Sequence, residues 1–182
     1  MKFIPTELEG AWIIETVRHG DARGYFCETF RQSEFEAAVG RVCFVQENES
    51  RSHRGVIRGL HYQRGSHAQA KLVRVSRGAI IDVVVDLRQS SPTYGRHITV
   101  ELTEDNGRQL FVPRGFAHGF VVLADDTTFH YKVDNYYCPE AEAGITPLDP
   151  KLGISWPDLG NGIIINDRDR NAPSFDQAEK FE

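Results

Sequence analysis

The stretch VIRGLHYQRGSHAQAKLVRVSRGAIIDVVVDL (56–87) decides the fold of this chain. It contains three runs rich in apolar and β-branched residues, VIRGLHY (56–62), AKLVRVS (70–76) and IIDVVVDL (80–87), which are separated by short segments that contain glycine. Runs of this length and composition between turn residues are typical of β-strands. The stretch therefore predicts three successive strands of a β-sheet.

The same rhythm recurs through most of the chain and predicts an all-β domain, folded as a barrel or a sandwich. One helix is expected over RQSEFEAAV (31–39), with Ser33 as its N-cap and Gly40 just past its end. From Pro139 onwards, proline, glycine and aspartate indicate loops and short turns that wrap the barrel. The other predicted strands are AWIIETV (11–17), YFCETF (25–30), CFVQE (43–47), HITVEL (97–102), QLFVP (109–113), GFVVLA (119–124) and TTFHYKVD (127–134).

Length and composition predict a single domain that spans residues 1–182. The net charge of −5 argues against a general nucleic-acid-binding protein. No apolar run approaches the roughly 20 residues of a membrane helix, and the N-terminus does not have the pattern of a secretion signal. Three cysteines at unrelated spacings predict neither a zinc site nor a disulfide framework. We therefore expect a soluble cytoplasmic protein.

Period-two alternation places two polar side chains on apolar strand faces. Tyr131 shares its face with Phe129 and Val133, and Lys71 shares its face with two valines. A tyrosine in such a place is either an acid or hydrogen-bond donor in a cavity, or a core residue bonded to the backbone. The lysine is either a site residue or a surface residue whose stem alone is buried.

His61 is the candidate general base, because histidine titrates near neutral pH. A lone histidine on a strand is nevertheless more often a core or rim residue. Strict alternation would put Arg58 and His61 on opposite faces, and a β-bulge at Gly59 would bring both into one cavity. Asp82 and Asp86 alternate with valines, and the sequence does not decide whether they line a cavity or face solvent.

Two spaced motifs resemble the signatures of a cupin barrel: G-x5-H-x-Q-x7-K-x6-G over residues 55–78, and PRGFAH (113–118). A metal-binding cupin would carry a second histidine at Gln63 and an acid near Lys71. The usual three-histidine, one-carboxylate metal site therefore cannot be assembled, and no metal is expected. The imidazole of His61 and the ammonium of Lys71 suggest a reaction in which a proton is transferred and the ammonium stabilises the negative charge that develops on the substrate.

Arginines in the first third of the chain suggest a phosphate site with aromatic stacking platforms. No phosphate-loop or dinucleotide motif accompanies them, so ordinary surface charge is the competing interpretation. The residues are Arg23, Arg51, Arg54, Arg58 and Arg64, with Tyr25, Phe26 and Tyr62 among them.

Seven segments in order resemble the dTDP-4-dehydrorhamnose 3,5-epimerase family over about residues 4 to 175. They are DARGYFCETF, FVQENES, VIRGLHYQ, AKLVRVSRGAIIDVVVDLR, SPTYG, FVPRGFAHGF and YKVDNYYCPEAE. The resemblance implies a cupin-type jelly-roll barrel with a few short helices, a homodimer that exchanges N-terminal strands, and no cofactor. It also implies inversion of C3 and C5 of dTDP-4-dehydro-6-deoxy-D-glucose, a step of dTDP-rhamnose biosynthesis for cell-wall polysaccharide and O-antigen.

The resemblance implies a role for each matching residue. His61 is the base, Tyr131 the acid on the opposite face, and Asp169 the carboxylate that orients the histidine, with Asp167 as the competing choice. Lys71, with Arg58, stabilises the enolate, and Tyr137 stacks on thymine. Further contacts to substrate or nucleotide are implied for Arg23, Phe26, Glu28, Gln46, Asn48, His118, Glu142 and Arg168.

Three alternatives stay open. The segment GITPLDPKLGI (144–154) resembles relatives that epimerise only one carbon of a related dTDP-4-keto-6-deoxy sugar. A non-catalytic cupin that binds a nucleotide sugar is the second alternative. The third is a metal-dependent cupin oxygenase or isomerase, which Gln63 and Lys71 disfavour.

Overall fold

The computed structural model describes residues 1–160 and 162–182. Within these residues the chain forms thirteen strands and two short α-helices. The strands are β1 (Lys2–Pro5), β2 (Trp12–Glu15), β3 (Arg18–Asp21), β4 (Gly24–Cys27), β5 (Gln46–Ser52), β6 (Ile57–Gln63), β7 (Lys71–Arg77), β8 (Ala79–Asp86), β9 (His97–Thr103), β10 (Arg108–Val112), β11 (Phe116–Val122), β12 (Thr127–Val133) and β13 (Glu142–Gly144). The helices are α1 (Gln32–Ala38) and α2 (Asp167–Arg170), with 3₁₀ turns at Gly65–His67 and Pro139–Ala141.

Two antiparallel sheets form the body of the fold. One has the strand order β1-β2-β10-β7-β12-β5, and the other has the order β13-β6-β11-β8-β9. Strands β3 and β4 form a separate two-stranded hairpin. Two such sheets packed face to face form a cupin-type jelly roll, so the predicted all-β fold class is confirmed. No helix among the described residues is long and apolar enough to cross a membrane.

The core lies between the two sheets. Strands β7, β10 and β12 contribute one side of it, including Val73, Leu110 and Phe129. Strands β8, β9 and β11 contribute the other, including Leu102 and Phe120. These side chains are at most 4% exposed, and burying each apolar side chain stabilises the fold by about 1.5–3 kcal/mol.

Strand β8 is buried on both of its faces, which explains its nearly unbroken apolar sequence. Ile80 and Val84 point into the core between the sheets, whereas Val83 and Val85 point outwards. The outward face is covered by the C-terminal segment, in a second cluster that includes Leu152 and Phe175. The region after Pro139 therefore wraps the fold as loops and short turns, as its composition indicates.

Helix α1 covers the outer face of the six-stranded sheet. Phe35 is 1% exposed and packs against Leu72 and Phe111. The predicted N-cap was wrong: Arg31 occupies that position without a side-chain cap, and Ser33 lies inside the first turn. The helix is held by burial of Phe35 rather than by its cap, so the capping signal was a poor guide to its start.

Strand β5 corrects the predicted strand CFVQE (43–47). The observed strand begins at Gln46 and continues to Ser52, pairing with β12 along its whole length. Its sequence QENESRS has no apolar alternation, because this end of the sheet faces a cavity rather than core. The short strands β1, β3 and β13 were also missed.

Because Leu102 is buried in the core and Leu148 is not, replacing each leucine by alanine should lower the free energy of unfolding by different amounts. Leu102→Ala should lower the free energy of unfolding by about 2–5 kcal/mol, since Leu102 is fully buried and its removal leaves a cavity. Leu148→Ala should cost less than about 1 kcal/mol, because Leu148 is 39% exposed. Urea denaturation of both variants measures the difference. Equal costs would contradict the placement of Leu102 between the sheets.

Candidate active site

A cavity of about 330 Å³ opens between the two sheets. Both sheets contribute to its walls, and polar residues are mixed with aromatic rings. The lining residues are Glu49, Ser50, Arg58, His61, Tyr62, Gln63, Gln69, Lys71, His118, Gly119, Phe120, Phe129, Tyr131, Tyr137 and Glu142. A concave site with convergent polar groups is the usual form of a small-molecule site.

An irregularity in β6 brings Arg58 and His61 into the same cavity. His61 pairs with His118 and Arg58 pairs with Phe120, so one more residue separates the pair on β6 than on β11. Gly59 permits this bulge: its φ is +122°, and a Cβ there would lie 2.6 Å from Gly119 Cα. The predicted bulge at Gly59 is confirmed.

Asp169 holds the imidazole of His61. Its Oδ1 lies 2.7 Å from His61 Nε2, and its Oδ2 accepts the Gly59 N–H at 3.0 Å. Burial alone would raise the pKa of Asp169, but these hydrogen bonds outweigh it and the pKa lies below its usual value. An ionised Asp169 keeps the proton on Nε2, which leaves the other ring nitrogen without a proton and able to accept one. Asp167 is exposed and does not take this position.

Lys71 is a buried lysine, as strand alternation indicated. It is 8% exposed, and its Nζ donates to the carbonyl of His61 at 3.2 Å. Burial lowers the pKa of Lys71 to about 8, while the carboxylates of Asp82 and Glu142 act in the opposite direction. The ammonium form therefore persists at neutral pH and places a positive charge next to His61.

His118 and Asp82 form a second histidine–carboxylate pair. His118 Nε2 lies 2.9 Å from Asp82 Oδ2, and both side chains are at most 6% exposed. Burial lowers the pKa of His118 and raises that of Asp82, while the contact between the two groups opposes both shifts. Asp82 Oδ1 is buried and has no hydrogen-bond partner among the described residues.

Tyr131 faces His61 from the opposite sheet. It lies on β12, next to Phe129 and opposite Asn48 of β5, whereas His61 lies on β6. Burial raises the pKa of Tyr131, and the nearby Arg58 opposes this rise. The hydroxyl therefore carries its proton at neutral pH. A small ring between the sheets would meet a base on one face and an acid on the other.

The rim of the cavity carries a chain of polar contacts. The Tyr137 hydroxyl donates to Glu142 Oε2 at 2.6 Å, and Glu142 forms an ion pair with Arg168. Gln46 Oε1 accepts the Tyr137 N–H at 3.3 Å, and Gln46 Nε2 donates to Asn48 Oδ1 at 2.9 Å. These five residues come from β5, β13, α2 and the segment before β13.

The family model of dTDP-4-dehydrorhamnose 3,5-epimerase matches residues 5–177. The chain belongs to this family. It is 50% identical to the enzyme of that name from Methanothermobacter thermautotrophicus over 93% of this chain and 92% of the relative. It is 47% identical to the enzyme from Escherichia coli over 97% of this chain and 96% of the relative.

A solved structure extends the match to the whole fold. The Legionella pneumophila 3,5-epimerase in complex with dTDP-4-keto-L-rhamnose superposes with a TM-score of 0.93, at 42% identity, covering 100% of this chain and 98% of that one. A Streptomyces bikiniensis dTDP-4-dehydro-6-deoxyglucose 3-epimerase is also similar, at 42% identity over 97% of this chain and 90% of the relative. The family therefore includes both 3,5-epimerases and a 3-epimerase.

The structure brings most of the family-implied residues together, with three exceptions. Arg23, Phe26 and Glu28 lie on or beside the β3–β4 hairpin and do not line the cavity. Arg23 pairs with Asp21, and Glu28 pairs with Arg31. Phe26 is 71% exposed. In the single chain, these three predicted binding residues are therefore outside the site.

The arginine cluster inferred from the sequence does not form. Arg51 pairs with Asp126, and Arg64 contacts Glu179, at separate places on the surface. Of the arginines in the predicted cluster, Arg58 is the one that lines the cavity. Proximity in sequence was misleading, because successive strands carry these side chains to different faces.

Two polar residues of the site were not assigned to it from the sequence. Asp82 is bonded to the cavity residue His118, and the charge of the inward-facing Lys71 was a signal that a carboxylate lies near it. Gln63 is 4% exposed and lines the cavity, whereas the sequence indicated only that it replaces a metal-binding histidine of other cupins.

The pKa of Lys71 can be tested with ¹³C-labelled lysine. Its Cε signal, assigned by its loss in Lys71→Met, should titrate with a midpoint of about 8. Asp82→Asn should lower that midpoint by at least about half a unit, because it removes a carboxylate that favours the charged form. Lys2, whose side chain is 72% exposed, is the internal control, and its signal should be the same in Asp82→Asn as in the wild type. An unchanged midpoint in Asp82→Asn would contradict the assigned pairing.

Proposed function

We propose that this protein inverts C3 and C5 of dTDP-4-dehydro-6-deoxy-D-glucose to give dTDP-4-dehydro-L-rhamnose. The observation that carries the proposal is the arrangement of His61 and Tyr131 on opposite sheets, facing one cavity. Inversion at carbon requires removal of a proton from one face and its return to the other. The family's named activity fits this geometry.

The chemistry begins with the ketone at C4, which acidifies the hydrogens on both neighbouring carbons. The free ring nitrogen of His61 removes a proton, and Asp169 stabilises the imidazolium that forms. Negative charge then develops on O4 of the enolate. The ammonium of Lys71, together with Arg58, stabilises that charge in a site partly closed to water.

Tyr131 completes the inversion by donating a proton to the opposite face of the enolate. Its raised pKa makes it a weak acid, but the enolate is a strong enough base to accept a proton from a phenol. The nearby Arg58 stabilises the phenolate that is left. His61 then releases its proton to solvent and Tyr131 regains one, after which the same pair acts on the second carbon once the sugar has rotated or moved.

The rim supplies the nucleotide site in this proposal. Tyr137 is 49% exposed and available to stack on thymine. Arg168 offers a charged partner for the pyrophosphate, and Gln46 and Asn48 offer amides beside it. His118 lies deeper, opposite His61, and is placed to contact the sugar.

We propose that the reaction needs neither a metal nor an organic cofactor. Gln63 and Lys71 stand where the cupin resemblance would require a histidine and an acid. An amide is a poor ligand for transition metals, and an ammonium repels a cation. Base, acid and charge stabiliser are all supplied by side chains of this chain.

A homodimer is also proposed, with the β3–β4 hairpin of one protomer reaching the cavity of the other. The hairpin is a separate two-stranded sheet with strongly exposed apolar side chains, Tyr25 at 61% and Phe26 at 71%. Exchange would bury these rings and deliver Arg23, Phe26 and Glu28 to a site that otherwise has none of them. We further propose a cytoplasmic location, which suits three free cysteines.

A second candidate function is inversion of C3 alone. It is supported by the 42% identity to the Streptomyces bikiniensis 3-epimerase. His61 and Tyr131 would serve that reaction equally well, so the difference lies in how the sugar is held.

The deciding experiment is NMR of dTDP-4-dehydro-6-deoxy-D-glucose with the protein in D2O. A rhamnose-forming reductase in a parallel sample traps the product. We expect deuterium at both C3 and C5 with trapped dTDP-L-rhamnose, and no effect of EDTA. His61→Ala should reduce exchange at both carbons by at least about 1000-fold, because one base serves both.

Each other outcome of this experiment has a distinct meaning. Deuterium at C3 alone would identify a 3-epimerase, and deuterium at C5 alone a 5-epimerase. No exchange at either carbon, with dTDP still bound, would identify a non-catalytic binding protein. Exchange that survives His61→Ala would show that another residue is the base.

Mixing two inactive variants tests the dimer. Arg23→Ala with Phe26→Ala damages the hairpin, and His61→Ala damages the cavity. In a mixed dimer, one site combines the intact cavity of one protomer with the intact hairpin of the other. Equimolar mixing should therefore restore about a quarter of the wild-type rate. Mixtures that stay inactive while mixed dimers form would show that the hairpin does not act in the partner's site.

A further inference from the structure

Residues 134–141, here called the mouth strap, join β12 to β13. Because these strands belong to different sheets, the mouth strap crosses from one wall of the cavity to the other. It carries Tyr137, which lines the cavity, and it leads directly into Glu142. The position of the mouth strap therefore sets where these two side chains stand.

Apolar burial contributes little to holding the middle of the mouth strap. Tyr136 and Tyr137 are 67% and 49% exposed. Two glutamines from opposite sheets instead accept consecutive backbone N–H groups. Gln46 on β5 accepts from Tyr137 at 3.3 Å, and Gln63 on β6 accepts from Cys138 at 2.9 Å.

Gln63 makes the shorter of these two bonds, and it makes it from a buried position, with 4% of the residue exposed. A backbone N–H can only donate, so this contact fixes which amide atom of Gln63 is the oxygen. The amide NH2 then has no protein partner among the described residues, although the side chain lines the cavity.

We propose that Gln63 is a positioning residue for nucleotide binding, which acts by fixing the mouth strap so that Tyr137 stands over the cavity. This inference rests on the proposed nucleotide-sugar function. Glu142 lies directly opposite Gln63 in the β6–β13 pairing and accepts the Tyr137 hydroxyl at 2.6 Å. Gln63 therefore holds the backbone next to Tyr137, while Glu142 holds the end of its ring.

Removal of the Gln63 side-chain oxygen would move the mouth strap away from the cavity. The Cys138 N–H would lose its partner, and the mouth strap would relax towards water to satisfy it. Tyr137 would move with its neighbour, so the nucleotide would lose its stacking surface. The reacting groups are held by the backbone pairing of their own strands: His61 lies on β6, which pairs with β11 and β13, and Lys71 and Tyr131 lie on the paired strands β7 and β12.

The test is a double-mutant cycle on the dissociation constant of dTDP, measured by calorimetry. Gln63→Met keeps the size of the side chain and removes the acceptor, and Tyr137→Ala removes the ring. Each should weaken dTDP binding about tenfold. The double variant should be weakened about tenfold as well, rather than about a hundredfold, because Gln63 acts through Tyr137. For turnover, Gln63→Met should raise KM about tenfold and leave kcat within about twofold.

Gln63→Glu is the matched variant, because a carboxylate still accepts the Cys138 N–H. Its added charge weakens binding of an anionic ligand in its own right, but Tyr137→Ala should still cost about tenfold in the Q63E background. If Gln63→Met does not fold, as judged by thermal unfolding, this second pair carries the test.

Multiplicative losses in the Gln63→Met cycle, or no loss in Gln63→Met, would overturn the inference. The same holds if Tyr137→Ala costs nothing in the Q63E background. Either result, with dTDP bound by the wild type, leaves the proposed function standing. Absence of dTDP binding by the wild-type protein would instead overturn the proposed function, and this inference with it.

Discussion

The close contact between Gly59 and Gly119 determines how the five-stranded sheet presents its side chains. A Cβ on Gly119 would lie 2.6 Å from the carbonyl oxygen of Arg58, so neither strand tolerates a side chain at the crossing. This approach creates the bulge that turns Arg58 and His61 towards one cavity. It also directs the Gly59 N–H at Asp169, whose other oxygen holds the imidazole of His61. One backbone contact thus shapes both the wall of the cavity and the position of His61.

The electrostatic character of the cavity comes from ionisable side chains that are buried but remain charged or partly charged. Lys71, Asp82 and His118 are all at most 8% exposed, so each loses most of its hydration. Lys71 keeps its charge because carboxylates lie nearby on both sides, Asp82 from β8 and Glu142 from β13. A cation held in this way is preorganised for negative charge that forms in the cavity. Such groups stabilise an enolate more than the ketone from which it forms.

Strand alternation predicted that Lys71 and Tyr131 share faces with valines and phenylalanine, and it left open whether they belong to a site. In the structure these faces are buried and both residues line the cavity. The full extent of strand β5 was not predicted, because its inner face borders a cavity. The residues on that face are polar, so the sequence shows no alternation of apolar and polar residues. Strand β4 was predicted, but its partner β3 was not, since the sequence RHGD of β3 has no apolar alternation.

Residues that join distant segments could not be found from local pattern at all. The bond between Gln63 and Cys138 spans 75 positions, and the bond between His61 and Asp169 spans 108. Neither has a local signal, because each depends on how the sheets and the C-terminal segment are assembled. The family resemblance supplied Asp169 and did not supply Gln63. Long-range hydrogen bonds of single side chains are the part of the site that only coordinates reveal.

The two-sided burial of β8 has a consequence for how the protein is made. Val83 and Val85 are covered by Leu152 and Phe175, which leave the ribosome some seventy to ninety residues after the strand they protect. During synthesis, the outer face of β8 is therefore exposed to water until the C-terminal segment is made. Exposed strands rich in β-branched residues tend to associate with other chains. Chaperone dependence and inclusion-body formation should respond to changes in the C-terminal segment more than to changes near the cavity. Residues far from the chemistry thus govern how much active protein a cell obtains.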